Sequence, residues 1–411
     1  MKPPAALLAT ALALAACQRA PDDRVWLGPV ILVEAPAAPG SRYPNLAAGA
    51  GMPTVMSWLA PEAGSGFTLQ FASWSGKDWS KARTVATGTD WFINWADFPS
   101  VVPVNSRTWA AHWLQQRPGD VYAYDVRIAV SPDAGTTWSA PMSPHEDGTP
   151  TEHGFVSILP GDGDSVRAVW LDGRHTAGEH EHATHEAAAD AGAMTLRTAA
   201  IDVSGHRIGA DAEIDARVCD CCQTDAAWAD GRALIVYRDR SQDEVRNIYA
   251  VRAQGGGWSA PVRVHDDGWR IDACPVNGPA LAARGNLVAV AWFTAPDVPR
   301  VRVTFSTDGG RTFAAPLEVA SGKIAGRVDV VLLADGRAVV SWLAEGPSGA
   351  EIRAQPFTSA GAAGDVVGIA RTGIARSSGF PQMALAGSYL LFAWTEAADP
   401  PRVRTARARL E

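Results

Sequence analysis

The segment SPDAGTTW (131–138) recurs in the sequence as STDGGRTF (306–313). Both copies follow the pattern Ser-x-Asp-x-Gly-x-Thr-Trp/Phe. In such a turn an Asp carboxylate binds the backbone, a Gly takes a left-handed conformation and an aromatic ring covers the edge of a sheet. The motif positions are Ser131, Asp133, Gly135, Trp138, Ser306, Asp308, Gly310 and Phe313. Each copy follows an alternating strand, so the motif predicts a repeated β-hairpin.

A short apolar strand that ends near an aromatic residue also recurs, at intervals of about 50 residues. Such a period, built from β-type runs and turns, is typical of propeller blades. Its seven copies are TVMSWL (54–59), TWAAHWL (108–114), VRAVWL (166–171), ALIVYR (233–238), LVAVAWF (287–293), AVVSWL (338–343) and LLFAWT (390–395). The aligned aromatic residues are Trp58, Trp113, Trp170, Tyr237, Trp292, Trp342 and Trp394.

The neighbours of each copy predict four strands per blade, A to D, with the apolar strand as B. The last copy ends after strand C, whereas VWLGPVILVEA (25–35) reads as one strand without a blade. We therefore expect an all-β, seven-bladed propeller over residues 25–411, closed by this N-terminal strand. A six-bladed propeller remains an alternative. Two stacked β-sandwiches are a second alternative, which the even spacing of the repeat disfavours.

The N-terminal MKPPAALLATALALAAC (1–17) has one basic residue before a short apolar run, as in a secretory signal peptide. Its end, Leu14-Ala15-Ala16-Cys17, resembles the lipobox of bacterial lipoproteins, which implies lipidation of Cys17. Residues 18–24 would form a polar tether, and Gln18 suggests sorting to the outer membrane. An ordinary signal peptide with an incidental Cys is the alternative.

The composition excludes two broad classes of protein. Hydrophobic residues make up 47% of the chain, which is too many for wholesale disorder. The formal net charge of -8 argues against a general nucleic-acid binder. We expect a monomer that touches the membrane only through a lipid anchor.

In a propeller, the D-to-A and B-to-C connections share one face, here called the top face. Arginines, carboxylates and aromatic residues concentrate in these connections, most densely in RDRSQDEVR (238–246). We therefore predict a ligand site on the top face. Its candidate residues are Arg42, Asp97, Arg217, Arg238, Asp239, Arg240, Glu244, Arg327 and Arg376.

Two Asp-box (BNR) turns, a propeller period and an Arg-rich face resemble the sialidase (neuraminidase) superfamily. This resemblance implies an Arg triad that binds a sugar carboxylate, because a guanidinium matches a carboxylate bidentately. Arg42-Tyr43-Pro44 occupies the place of the family's Arg-Ile-Pro signature. The other triad members would be Arg238 or Arg240, and Arg327 or Arg376, with Asp90 or Asp97 as acid/base.

The sequence also departs from the family. Sialidases of this type have six blades, and no Tyr of this chain has an obvious Glu partner on the top face. The resemblance therefore leaves open hydrolysis of acidic glycans, binding of an acidic glycan or other small anion, and an interaction scaffold without chemistry. None of these functions requires a cofactor.

Four cysteines follow Cys17: Cys219, Cys221, Cys222 and Cys274. In an oxidising compartment they favour disulfides, with Cys221 or Cys222 joined to Cys274 across two blades. A thiolate site for Zn or Cu is the alternative, and would make this a metal-binding or redox envelope protein.

A weaker metal candidate is the loop RHTAGEHEHATHE (174–186), which contributes His175, His180, His182 and His185. A mobile loop that binds metals loosely is the alternative. We expect structural roles for His112, His206 and His265.

Overall fold

The computed structural model describes residues 25–49, 51–119, 121–176, 192–346 and 349–411. Seven antiparallel sheets follow one another along this part of the chain. The first strands of all seven line one central cavity, which makes the sheets blades of a propeller. Among the described residues, no helix is both long and apolar enough to cross a membrane.

The strands are numbered in chain order, and a 3-10 helix spans Arg376–Ser378. Before blade 1 lies β1 (Ile31–Val33); blades 1 to 3 are formed by β2 (Arg42–Ala47), β3 (Val55–Glu62), β4 (Gly66–Ser73), β5 (Arg83–Gly88); β6 (Ser100–Pro103), β7 (Trp109–Gln116), β8 (Tyr124–Ser131); and β9 (His153–Pro160), β10 (Val166–Asp172), β11 (Met194–Ile201), β12 (Arg207–Val218). Blades 4 to 7 are formed by β13 (Asp225–Ala229), β14 (Arg232–Arg238), β15 (Ile248–Gln254), β16 (Gly257–Trp258), β17 (Val262–Arg263); β18 (Ala280–Arg284), β19 (Leu287–Thr294), β20 (Arg300–Ser306), β21 (Leu317–Ser321); β22 (Ile324–Leu332), β23 (Ala338–Gly346), β24 (Gly349–Thr358), β25 (Gly361–Ala362), β26 (Val367–Thr372); and β27 (Gln382–Ala386), β28 (Tyr389–Glu396), β29 (Arg402–Arg409).

The prediction of a seven-bladed propeller is confirmed, and so is closure of the ring by the N-terminal strand. β1 pairs with β29, with Ile31 opposite Arg407, and so becomes the fourth strand of blade 7. In blades 4 and 6 two short strands share the fourth position, since β16 and β17 both pair with β15, and β25 and β26 both pair with β24. Blade 2 departs from the four-strand pattern in the other direction. Its sheet has three strands, and a single bridge between Ile128 and Met142 stands where the fourth would pair.

The hydrophobic core lies between the blades. Buried apolar residues form seven clusters, and each cluster combines side chains from two neighbouring blades. Residues that alternate along a strand face the two neighbouring blades in turn. The aligned aromatic residue of each strand B lies in one of these contacts between blades. All seven of these side chains are at most 3% exposed: Trp58, Trp113, Trp170, Tyr237, Trp292, Trp342 and Trp394.

Side-chain hydrogen bonds also join the inner strands of neighbouring blades. The Asp225 carboxylate accepts from the Leu281 backbone N–H at 2.7 Å, and Asp329 accepts from the Met383 N–H at 2.6 Å. The innermost strand of a blade has one unpaired edge, so these carboxylates satisfy N–H groups that would otherwise be buried without a partner.

The two repeated turns have the same geometry. Oδ1 and Oδ2 of Asp133 accept from the backbone N–H and the hydroxyl of Thr137, at 2.7 and 2.8 Å. Asp308 binds Thr312 in the same way, at 3.0 and 2.6 Å. The turn glycines have positive φ, 75° at Gly135 and 82° at Gly310.

We expect Gly135→Ala to destabilise the protein more than Gly255→Ala. Both glycines have positive φ, so Ala costs about 1–2 kcal/mol at either position. At Gly135 a Cβ would also lie 2.8 Å from Cζ of Phe71, whereas nothing lies within 4 Å at Gly255. This overpacking adds about 1–3 kcal/mol to the loss in unfolding free energy, measured by urea denaturation. Equal losses for the two variants would contradict the packing argument.

Candidate functional site

The central channel has a volume of about 980 Å³ and is lined mainly by the first strand of each blade. Residues 91–97 cross its top end. Gln223 of blade 4 donates from Nε2 to the Ala96 carbonyl at 2.7 Å, and Trp95 stacks with Phe380 at the start of blade 7, with ring centroids 5.7 Å apart. The channel is therefore covered on the top face, and the polar candidates lie around this cover.

Four of the nine predicted candidates converge at one place, where the end of blade 3 meets the B-to-C connection of blade 4. Val218 bridges to Asp239, and the Cys219 N–H donates to the Arg238 carbonyl at 2.9 Å. This pairing brings together eight polar residues, here called the blade-4 cluster: Asp215, Arg217, Asp220, Tyr237, Asp239, Arg240, Glu244 and Arg246.

Two carboxyl groups in the blade-4 cluster have different surroundings. Asp215 accepts from the Tyr237 hydroxyl at 2.5 Å and from the Arg217 backbone N–H at 3.1 Å. Burial and the negative charge of Asp215 together raise the pKa of Asp239 to about 6. Asp239 therefore keeps its proton to a higher pH than an ordinary aspartate does, and it lies beside a second carboxyl group that accepts hydrogen bonds. A proton donor next to an acceptor is the arrangement that acid–base catalysis uses.

The arginines of the blade-4 cluster surround Glu244. Arg240 donates to Glu244 and to Asp220, both at 2.9 Å, and Arg246 donates from Nη2 to Glu244 at 2.6 Å. Burial raises the pKa of Glu244, but the hydrogen bond from Arg240 and the nearby positive charges lower it by more. Three buried guanidinium nitrogens have no hydrogen-bond partner: Nε and Nη1 of Arg246, and Nε of Arg217. Such donors require a partner, and a bound anion would supply one.

Arg238 does not lie in this cluster as a ligand-binding group. It is 1% exposed, and its guanidinium donates to three backbone carbonyls, those of Arg246, Asn277 and Phe293, at 2.6–3.0 Å. Burial lowers its pKa to about 9. Arg238 therefore holds blade 4 to blade 5, and this placement corrects its predicted role in binding a carboxylate.

Arg327 has an equivalent structural role near blade 7. It is 6% exposed, and it donates to the carbonyls of Gly379, at 2.7 Å, and Ile374, at 2.9 Å. Its guanidinium lies 4.9 Å from the centroid of the Trp95 ring. Its predicted place in an Arg triad is therefore corrected as well, since its donors are used within the protein.

The remaining candidates lie elsewhere on the top face. Arg376 is exposed, 5.9 Å from the Trp95 ring centroid, and Arg42 lies 5.5 Å from that of Phe67. Asp97 is buried and accepts from the Phe155 N–H at 2.8 Å, and burial raises its pKa to about 7. Among the described residues, no ion pair joins these three side chains to the blade-4 cluster.

The four cysteines are paired. Cys221 bonds to Cys274, which joins the connections on either side of blade 4, and Cys219 bonds to Cys222. With both bonds closed, the sulfurs are not thiolate ligands. Of the other predicted ligands, His175 is exposed, and His180, His182 and His185 lie outside the described residues, as does the predicted lipidation site Cys17.

Sequence reasoning missed two features. It assigned Tyr237 to the core, although its hydroxyl reaches Asp215, and it gave no role to His145, whose ring stacks on His153 at 3.8 Å. The available signal for the second feature was His145-Glu146-Asp147 followed shortly by His153, just before a strand A.

No protein-family model matches the chain, and no curated protein matches it in sequence. Among solved structures, a protein of unknown function from Dyadobacter fermentans is similar with a TM-score of 0.53 and 13% identity, covering 93% of this chain and 98% of that chain. A Hadza microbial sialidase has a TM-score of 0.48 at 13% identity, covering 85% and 75%. A polysaccharide lyase has a TM-score of 0.49 at 7% identity, covering 90% of each chain. At these identities the likeness concerns the propeller fold alone.

We expect removal of the Cys221–Cys274 disulfide to cost about 2–5 kcal/mol of unfolding free energy, because it closes a long loop. The matched control removes Cys219–Cys222, whose sequence separation is 3 against 53. Each pair is replaced by two serines, and stability is measured by denaturant unfolding. Peptide mapping without reductant should recover the two native pairs. An equal or larger loss in the control would count against a stabilising inter-blade bond.

Proposed function

We propose that the protein is a sialidase-like, carbohydrate-active protein that binds a carboxylate-bearing glycan at the blade-4 cluster and hydrolyses its glycosidic bond. The observation that carries this proposal is the raised pKa of Asp239 beside the hydrogen-bonded carboxylate of Asp215, next to arginine nitrogens without partners. A glycosidase uses two carboxyl groups, one that gives a proton and one that accepts it.

The arginines provide the preference for an acidic substrate. Arg240 is committed to Asp220 and Glu244, and Arg246 is 3% exposed and donates to Glu244. Arg217, whose side chain is 29% exposed, is therefore the arginine that would bind a sugar carboxylate. Charge-assisted hydrogen bonds from a guanidinium are stronger than those between neutral groups. This assignment replaces the Arg triad implied by the sialidase resemblance with arginines at the junction of blades 3 and 4.

In the proposed reaction, Asp239 gives its proton to the glycosidic oxygen as the bond from that oxygen to the anomeric carbon breaks. A water molecule adds to the anomeric carbon, and Asp215 accepts the proton that the water loses. Exchange with solvent then returns both groups to their starting states. Burial and the neighbouring Asp215 raise the pKa of Tyr237, so its phenol keeps its proton and orients Asp215 rather than attacking the sugar.

The location that accompanies this function is the bacterial cell envelope, with a monomer attached through a lipid on Cys17, in the outer membrane. The support for it is the sequence of residues 1–24, which lie outside the described residues. The proposed reaction needs no cofactor.

We expect Asp239→Asn to lower kcat for a fluorogenic sialoside or uronide by about 10²–10⁴-fold, because it removes the proton donor. In the wild type, activity should fall as the pH rises through about 6, where Asp239 loses its proton, and this fall should disappear in the variant. The matched control is Asp243→Asn, four residues away with a side chain 84% exposed. No turnover by folded wild type on either substrate class would reject hydrolysis.

We expect Arg217→Gln to raise KM for the acidic substrate about tenfold, a loss of about 1.4 kcal/mol, with a smaller change in kcat. The reason is that Gln removes a positive charge from the proposed carboxylate site. The comparison substrate is the corresponding neutral glycoside, whose KM should not change. A tenfold rise for both substrates would instead indicate a role for Arg217 in the fold.

A further inference from the structure

A second polar cluster lies between blades 2 and 3 and is distinct from the blade-4 cluster. Its five members, here called the blade-3 cluster, are Asp125, His145, Asp147, His153 and Asp172. His153 and Asp172 are fully buried, and the side chains of His145 and Asp147 are 4% and 7% exposed. Two imidazoles and three carboxylates held so far from water require partners for every polar atom.

The hydrogen bonds of both histidines fix the same tautomer. Nδ1 of His153 faces the carbonyl oxygens of Thr151 and Tyr124, at 3.1 and 3.2 Å. Nδ1 of His145 faces Oδ1 of Asp147 at 3.0 Å. Since these neighbours only accept, Nδ1 carries a hydrogen in both rings, which leaves Nε2 as the ring atom that would bind a metal ion. A carbonyl or carboxylate on one ring nitrogen is the usual support of a histidine that binds metal through the other.

Nε2 of His145, Nε2 of His153 and Oδ1 of Asp125 make no hydrogen bond of good geometry. Carboxylate oxygens nevertheless lie near both ring nitrogens: Oδ1 of Asp125 is 3.9 Å from Nε2 of His145, and Oδ1 of Asp147 is 3.2 Å from Nε2 of His153. The ligand atoms that Asp125, His145 and His153 can offer lie within 4.8 Å of one another, and those of Asp147, His153 and Asp172 do so as well.

From this geometry we propose that the blade-3 cluster binds one divalent transition-metal ion of the zinc type, through Nε2 of His145, Nε2 of His153 and Oδ1 of Asp125. Two imidazoles and one carboxylate suit Zn²⁺ or Co²⁺, whereas Mg²⁺ and Ca²⁺ prefer oxygen ligands throughout. Asp147 Oδ1, 3.2 Å from Nε2 of His153, is placed as a further ligand.

The neighbouring arginines determine which carboxylate is left to bind the metal ion. Asp172 is committed to Arg174, which donates to both of its oxygens at 2.7 Å. Asp125 has Arg117 and Arg127 at 3.7 and 3.6 Å without a hydrogen bond on Oδ1, so this oxygen remains for the ion.

Binding requires one local movement. The two rings are stacked with planes 4° apart, and an imidazole binds a metal in its own plane. One ring must therefore turn about its Cβ–Cγ bond. That ring is His145, because its Nδ1 has one hydrogen-bond partner, Asp147, whereas Nδ1 of His153 faces two carbonyl oxygens.

The test is titration of the chelator-treated protein with Co²⁺. His180, His182 and His185 are replaced by Asn throughout, so that the His-rich loop does not contribute. We expect about one ion per chain with the visible absorption of a tetrahedral site, displaced by Zn²⁺. His145→Asn and Asp125→Asn should each weaken Co²⁺ binding at least 10–100-fold, about the loss known for supporting residues. His206→Asn, on a side chain 80% exposed, is the matched control and should bind as the parent does.

Two outcomes would overturn the proposal: no stoichiometric Co²⁺ binding by the parent, or unchanged binding in a folded His145→Asn or Asp125→Asn variant. Circular dichroism establishes folding, and Asp125→Asn keeps the shape of the side chain if His145→Asn fails to fold. The readout does not depend on activity, so loss of the proposed hydrolase function leaves this test intact.

Discussion

The structure depends on the requirement that each blade be covered on both faces by its neighbours. The aligned aromatic side chain of each strand B packs in one of these contacts, and in three blades its polar tip donates to a carboxylate. Trp170 donates to Asp172 at 2.8 Å, Tyr237 to Asp215 at 2.5 Å and Trp292 to Asp267 at 2.6 Å. Carboxylates are thus brought to the top face by packing. In blade 4 the repeat has Tyr in place of Trp, and a hydroxyl joins the polar residues there.

The fold could be predicted because its signal is local and repeated. A strand B with an aromatic residue recurs at a near-constant interval, and each copy can be recognised without its neighbours. The closing strand could be predicted by counting, since the last blade lacked one strand and residues 25–35 lacked a blade. The incomplete edge of blade 2 could not be predicted, because residues 139–142 follow a complete turn motif and yet form only one bridge, between Met142 and Ile128.

The site could be predicted only in part, because sequence gives the face of a residue but not the direction of its side chain. Arg238 and Arg327 belong to top-face connections as expected, yet both turn into the gaps between blades and bind carbonyls. Backbone carbonyl oxygens line these gaps, and the long arginine side chains reach them. The pairing of Asp215 with Tyr237 depends on how blades 3 and 4 are aligned. The stacking of His145 on His153 depends on how separate segments of the chain meet. Neither arrangement leaves a periodic pattern.

Closure of the ring by β1 has a consequence for the order of synthesis and for mechanical load. The partner of β1 is β29, the last strand of the chain, so β1 must remain unpaired until nearly all other strands have been made. Ile31 and Leu32 are 52% and 70% exposed even after pairing, so the unpaired segment presents apolar side chains on which another chain could pack. Three residue pairs then hold β1, and a bridge between Leu27 and Leu410 holds the residues before it. A pull on the N terminus would therefore act first on blade 7, where β1 closes the ring.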